Sequence, residues 1–293
     1  MNEAQKIQWF PGHMTKTRRQ IQDKLKLVDA VAEIIDARIP VSSRNPDLDE
    51  ILKSKPQIIL MNKSDMANPA ATKEWIEYYK TKGINAIAID CKSGKGLNNF
   101  YSVIRDLLKE QIEHWNNKGM TGRSIRVMVV GVPNVGKSSF INKMSKGNKA
   151  KVEDRPGVTR GNQWFSIGKG FELLDTPGVL WPKFDNPIVG ERLAFTGAVK
   201  DQILDIEFLA IRLLELLSKE YKESLIQRYK LEKFDISDLG GEELLKLIGK
   251  KRGMLISGGE IDTERAAIMV LDEFRAAKLG KITLERVKDY GLA

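Results

Sequence analysis

A single cysteine, Cys91, stands among 293 residues. No intramolecular disulfide can form and no cluster of thiolates can hold a metal, so a reducing compartment, the cytoplasm, is the expected location. Long hydrophobic runs are also missing. None approaches the length that crosses a bilayer, and the first twenty residues lack the unbroken apolar stretch of a secretion signal, so no membrane role is expected. Internal repeats and low-complexity tracts are absent as well. With 42% apolar and 30% charged residues, the chain has a globular composition and a length that suits two domains.

The net charge of +9 is unevenly placed. Residues 1–185 carry 30 Lys and Arg against 20 Asp and Glu, or +10, whereas residues 186–293 carry 18 against 19, or −1. A basic first part suits either a polyanion such as RNA or ordinary solubilisation, and composition does not choose between them.

Short apolar, β-branched runs recur at Val28–Ile35, Gln57–Met61, Asn85–Ile89, Ile125–Val130 and Phe171–Leu174, separated by helical or loop segments. This predicts an α/β fold with a sheet of about six mostly parallel strands. Gly168-Lys169-Gly170, between Asn162–Ile167 and Phe171–Leu174, predicts one antiparallel hairpin. Apolar residues at helical spacing from Leu97 to Trp115 predict one long amphipathic helix. After Pro187 the strand-like runs stop, and Glu207–Leu217, Glu242–Leu247 and Thr263–Lys278 read as helices. The expected organisation is a first domain over 1–185 that includes an N-terminal arm, a linker over 186–205, and a small all-helical domain over 206–293.

Gly131-Val132-Pro133-Asn134-Val135-Gly136-Lys137-Ser138 follows a predicted strand and precedes a predicted helix, the context a phosphate-binding loop requires. Its glycines let backbone N–H groups curl around phosphates, and the helix N-terminus faces them. Asn134, Val135, Gly136, Lys137, Ser138 and Ser139 are therefore expected at the nucleotide. Lys137 would reach the β- and γ-phosphates, and Ser138 would offer Mg²⁺ a hard oxygen. Asp175-Thr176-Pro177-Gly178 emerges at a strand end. Asp175 is expected near Mg²⁺ and the Gly178 amide near the γ-phosphate. Thr159, in a glycine-flanked loop, is the candidate switch threonine for Mg²⁺ and γ-phosphate.

Asn62-Lys63-Ser64-Asp65 also follows a strand. The Asp65 carboxylate can accept from guanine N1–H and its exocyclic amine, a pair that adenine cannot supply, and an unpaired acceptor costs roughly 1–3 kcal/mol. Lys63 would lay its stem along the base, and Asn62 would hold neighbouring loops together. Cys91 and Lys92, in Asp90-Cys91-Lys92-Ser93, occupy the place of a second base loop, with a degenerate match.

The motif order, base loops before phosphate loop, resembles the circularly permuted P-loop GTPases. Trp9-Phe10-Pro11-Gly12-His13-Met14, the run Asp36-Ala37-Arg38-Ile39-Pro40-Val41-Ser42-Ser43-Arg44-Asn45-Pro46, and the tail with Thr263-Glu264-Arg265-Ala266-Ala267 are similar to the bacterial ribosome biogenesis GTPase A (YlqF) family along nearly the whole chain. That resemblance implies a GTPase, with GTP or GDP as ligand. It would bind a late precursor of the large ribosomal subunit through ribosomal RNA and proteins and leave once GTP is hydrolysed, a monomer when off the ribosome.

Where ordinary small GTPases place a water-orienting glutamine after D-x-x-G, this chain has Val179. The resemblance implies that His13 swings toward the γ-phosphate as the catalytic group beside Lys137 and Thr159; the alternative is a histidine that only docks the arm. It also implies that Asn134 marks a K⁺ site. With the chain opened after D-x-x-G, switch II runs through Val179-Leu180-Trp181-Pro182 toward the helical domain, whose Lys250-Lys251-Arg252 could touch phosphates. Two other functions fit the motifs, a GTP-sensing RNA-binding factor with little turnover and a GTPase of another RNA process such as tRNA modification.

Overall fold

The computed structural model describes residues 14–146, 151–152, 163–180, 186–199, 205–232 and 234–291. They form two compact units, one of residues 14–180 with 283–291 and one of residues 186–282.

The first unit is a seven-stranded sheet. Its strands are β1 (Ala30–Asp36), β2 (Gln57–Asn62), β3 (Asn85–Ala88), β4 (Ile125–Val130), β5 (Lys151–Val152), β6 (Gln163–Gly168) and β7 (Phe171–Leu174), in the order β3-β2-β1-β4-β7-β6-β5. The five strands from β3 to β7 in that order pair in parallel, and β6 and β5 continue antiparallel. The strand beyond the expected six is the two-residue β5. The predicted hairpin is β6–β7, turned by Lys169 (φ 53°) and Gly170 (φ 77°), the positive-φ pair that matches strand twist. β1 is buried along its full length, as a central parallel strand must be.

Around the sheet lie α1 (Met14–Leu25), α2 (Pro46–Leu52), α3 (Pro69–Thr81), α4 (Asn99–Leu107), α5 (Lys109–Asn117) and α6 (Lys137–Met144). Ile21 and Leu25 of α1 and Leu48, Ile51 and Leu52 of α2 share one core cluster with Val31, Met128, Val130 and Leu174. Trp75 and Tyr79 of α3 pack with Ile35, Ile59 and Met61 in another. The expected single helix over Leu97–Trp115 is instead two helices, α4 and α5. Leu108 leaves helical geometry (φ −105°, ψ 14°) yet stays buried, as do Ile104 and Trp115.

The second unit holds α7 (Pro187–Phe195), α8 (Ile206–Glu220), α9 (Lys222–Tyr229), α10 (Gly241–Lys251) and α11 (Thr263–Arg275). Leu213 and Leu217 of α8, Leu244 and Ile248 of α10, and Val270 and Phe274 of α11 are buried, so the three helices bury apolar stripes at 3.6-residue spacing. The segment expected as a linker contains α7, and residues 283–291 group with the sheet rather than with the helices. Asn45, Asn68 and Asn186 each accept from a backbone N–H one turn into α2, α3 and α7, with proline at the first helical position. Of the three basic residues at 250–252, Arg252 lies 3.8 Å from buried Glu273, and the Lys251 ammonium lies 4.8 Å from the Phe234 ring. Among the described residues no helix is long and apolar enough to cross a membrane.

Candidate nucleotide site

Parallel strands place their C-terminal ends on one edge of the sheet, and the connections there build the site. β4 ends at Val130 and runs through Gly131–Gly136 into α6, while β7 ends at Leu174 and delivers Asp175. A cavity of about 650 Å³ lies between them, lined by Lys24, Asn134, Lys137, Ser138, Asp175 and Gly178 among others. Five expected site residues thus meet in one space.

Lys137 is 8% exposed and folds back on its own loop, donating to the carbonyls of Gly131 (3.1 Å) and Val132 (2.8 Å). Burial pushes its ammonium down to about 8, against the opposing pull of Asp175. Burial likewise raises the Asp175 carboxyl, while the Thr176 N–H, Lys137 and Lys24 oppose the rise. Asp175 Oδ1 is buried without a hydrogen-bond partner. An orphaned carboxylate oxygen costs free energy unless something binds it, and a hard cation suits it. Ser138 lines the same cavity. Among the described residues no three His, Cys, Asp or Glu side chains converge, so these residues fit Mg²⁺ held mainly by nucleotide phosphates and water.

Gly178 belongs where it is because a Cβ there would lie 3.0 Å from Lys137 Nζ and from Pro133. The next residue, Val179, is buried in the sheet core. Its N–H donates to Gly131 O (3.2 Å), and its carbonyl accepts from Asn45 Nδ2 (3.2 Å). The position of the usual glutamine is therefore apolar and also turned into the core. Asn134 sits at φ 60° and is exposed on the cavity. Thr159 and His13 lie outside the described residues, as do Trp181 and Pro182.

The residues expected to read the base line a different part of the same edge. Asn62 ends β2, and its Nδ2 donates to Val135 O (2.7 Å) while its Oδ1 accepts from Cys91 N (3.1 Å). One amide thus ties both base loops to the phosphate loop. Lys63 holds φ 59°, and its ammonium lies 2.9 Å from Asp36 Oδ2. Asp65 is exposed at the end of this turn. Cys91 is 7% exposed and its thiol is pushed up to about 12 by burial and then by Asp90, so this position offers its backbone rather than a thiolate. Ser139 and Lys92 are exposed, and the Lys92 carbonyl accepts from Lys143 Nζ (3.1 Å).

Comparison with known proteins places the fold in a lineage. The family described as 50S ribosome-binding GTPase matches residues 126–237. Ribosome biogenesis GTPase A of Bacillus cereus is 49% identical over 285 residues, covering 97% of this chain and 95% of that protein. The chain belongs to the ribosome biogenesis GTPase A family. The Priestia megaterium member is also 49% identical, over 95% of this chain and 96% of its own. A solved structure of GDP-bound YlqF is similar at a TM-score of 0.69 and 29% identity, over 92% of this chain and 100% of that one.

Family membership explains the permuted motif order, but sequence reading gave no site role to several residues now seen at the site. Asp36 and Arg38 were part of the family resemblance only. Here Arg38 donates to both Asp36 oxygens (2.9 and 2.8 Å), and burial of Asp36 is outweighed by Arg38 and then Lys63, which hold its carboxyl below the usual range. Lys24 of α1 donates to Asp175 O (3.2 Å) across 151 residues, and no local motif marks it.

Proposed function

We propose that this GTPase family member binds GTP and GDP with Mg²⁺, hydrolyses GTP, and acts on a late precursor of the large ribosomal subunit that it leaves after hydrolysis. The observation that carries the nucleotide part is the orphaned Asp175 Oδ1, whose residue lines the phosphate-loop cavity together with Lys137 and Ser138. Lys137 leaves its own loop carbonyls for the β- and γ-phosphates, Ser138 and Asp175 hold Mg²⁺ directly or through water, and Thr159 closes from the switch loop. Mg²⁺ held there would supply charge neutralisation at the phosphates. Asp65 reads guanine, Lys63 covers it, and Asn62 keeps the base and phosphate ends in register.

Hydrolysis needs a group that orients water, and Val179 offers none. His13 takes that role on the ribosomal particle, and K⁺ beside Asn134 would add phosphate-neutralising charge. The ribosomal partner is supported by the names of the relatives and by the +10 charge of residues 1–185. Buried Val179 favours one second reading, a factor that senses GTP against GDP with little turnover of its own. GTP turnover in K⁺ buffer, with and without purified large subunits, separates them. Strong stimulation is expected; tight GTP binding without stimulation would establish the sensing factor instead.

A further inference from the structure

The chain re-enters the sheet unit at Thr283, and the three residues that follow are used in an unusual way. Thr283, Leu284 and Glu285 are at most 1% exposed. Thr283 Oγ1 accepts from Asn68 N (3.0 Å), just after the N-K-x-D turn, and Leu284 N donates to Arg38 O (2.8 Å). The Glu285 carboxylate accepts from the backbone N–H groups of Val41 (2.5 Å) and Ser42 (3.1 Å) and from the Ser42 hydroxyl. The Glu285 carbonyl accepts from Trp75 Nε1 (2.8 Å). One short segment thus bridges the loop after β1 and the segment after the base-reading turn.

The same loop begins with Asp36 and Arg38, and Asp36 holds the Lys63 ammonium at 2.9 Å. Lys63 sits in the left-handed region (φ 59°), which a lysine occupies only when its surroundings impose it. A buried carboxylate that accepts consecutive backbone N–H groups fixes a loop in register, since any slip strands the charge.

We infer that Glu285 is a positioning residue for guanine recognition, fixing the 37–43 loop so that Asp36 and Arg38 hold Lys63 where its stem meets the base. This rests on the reading that Lys63 and Asp65 receive guanine. Loosening the loop weakens GDP and GTP alike, because both carry the same base, and leaves phosphate chemistry alone.

The test uses the full chain and fluorescent GDP and GTP. Glu285→Gln keeps the shape but turns an amide toward backbone donors, and both nucleotides should dissociate about tenfold faster, as expected when a charged acceptor is lost. KM for GTP should rise while kcat at saturation holds, a split that simple loss of stability does not produce well below the unfolding temperature. Ser42→Ala removes one contact and should give a smaller shift in the same direction. Hydrogen exchange on the unaltered protein should show the Val41 and Ser42 amides slowed by GDP, which keeps the inference testable if Glu285→Gln does not fold. A folded Glu285→Gln with unchanged dissociation, or amides indifferent to GDP, overturns it. Asp65→Asn run in parallel separates the two levels. If it keeps its guanine preference, the base-site reading fails; if it exchanges guanine for xanthine while Glu285→Gln is silent, the positioning role alone fails.

Discussion

Gly136→Ala puts the junction between base and phosphate loops under direct strain. Gly136 holds φ 106°, and a Cβ there would lie 2.2 Å from Asn62 Nδ2, far inside contact distance. Two costs follow. The backbone conformation costs a non-glycine residue roughly 1–3 kcal/mol. To make room, the Asn62 amide must also withdraw from Val135 O and Cys91 N, stranding two buried groups at about 1–3 kcal/mol each. The sum, roughly 3–9 kcal/mol, is comparable with the whole stability of a domain. Asn62→Ala alone strands the same two groups but opens the space. In the double variant the steric part should vanish, and the two stranded groups are counted once instead of twice, so the loss should fall short of the sum of the singles by roughly 2–6 kcal/mol. Urea unfolding of the four proteins supplies the cycle. Additive losses would show that Gly136 is required only for its backbone angle and that the Asn62 contact does not join the loops.

Five further outcomes follow from the site. The Lys137 ammonium is lowered from the ordinary 10.5 to about 8, so the charged form is penalised in the fold; stability of the free protein should rise between about pH 8 and 10.5, where the folded protein has released that proton and the unfolded chain still holds it, and titrations across that window would show it. Phosphate binding needs the proton, so nucleotide affinity should fall above pH 8 with proton uptake on binding, and calorimetry between pH 7 and 9 showing neither would refute it. Asp175→Asn removes a buried charge whose Oδ1 lacks a partner, so the nucleotide-free protein should gain about 1 kcal/mol in urea unfolding while Mg²⁺ ceases to strengthen GTP binding. His13→Ala should abolish subunit-stimulated hydrolysis and spare GTP binding, and unchanged turnover would remove His13 from the mechanism. Equal rates in Na⁺ and K⁺ at matched ionic strength would dispose of the Asn134 cation site.

What could be read from sequence was local. The strand before Gly131, the phosphate loop and the start of α6 lie within about a dozen consecutive residues, so their chemistry and geometry are written side by side. The same holds for the β6–β7 hairpin, whose turn residues carry their own conformational preference. The break at Leu108 was not legible, because no glycine or proline marks it and the apolar residues keep helical spacing across it. β5 has two residues, too few for a periodic pattern. The starts of α2, α3 and α7 were there to be read in their Asn-Pro pairs. Glu285 and Val41 are separated by 244 positions and Lys24 and Asp175 by 151, and a contact of that span leaves no trace in composition or spacing.

The sheet explains why a permuted chain can keep such a site. Asn62 at the end of β2, Gly131 after β4 and Asp175 after β7 all leave parallel strands at the same edge, so their meeting depends on strand order in space and not in sequence. Permutation moves only the breaks in the chain. Here the phosphate-side strand β7 and its D-x-x-G turn lead into residues 186–282, and the chain returns at Thr283 beside the loop that carries Arg38. The helical unit is therefore an insertion in the chain, entered after the D-x-x-G turn and left at the 283–285 segment. An ordinary order of motifs would tether a C-terminal unit at one end only.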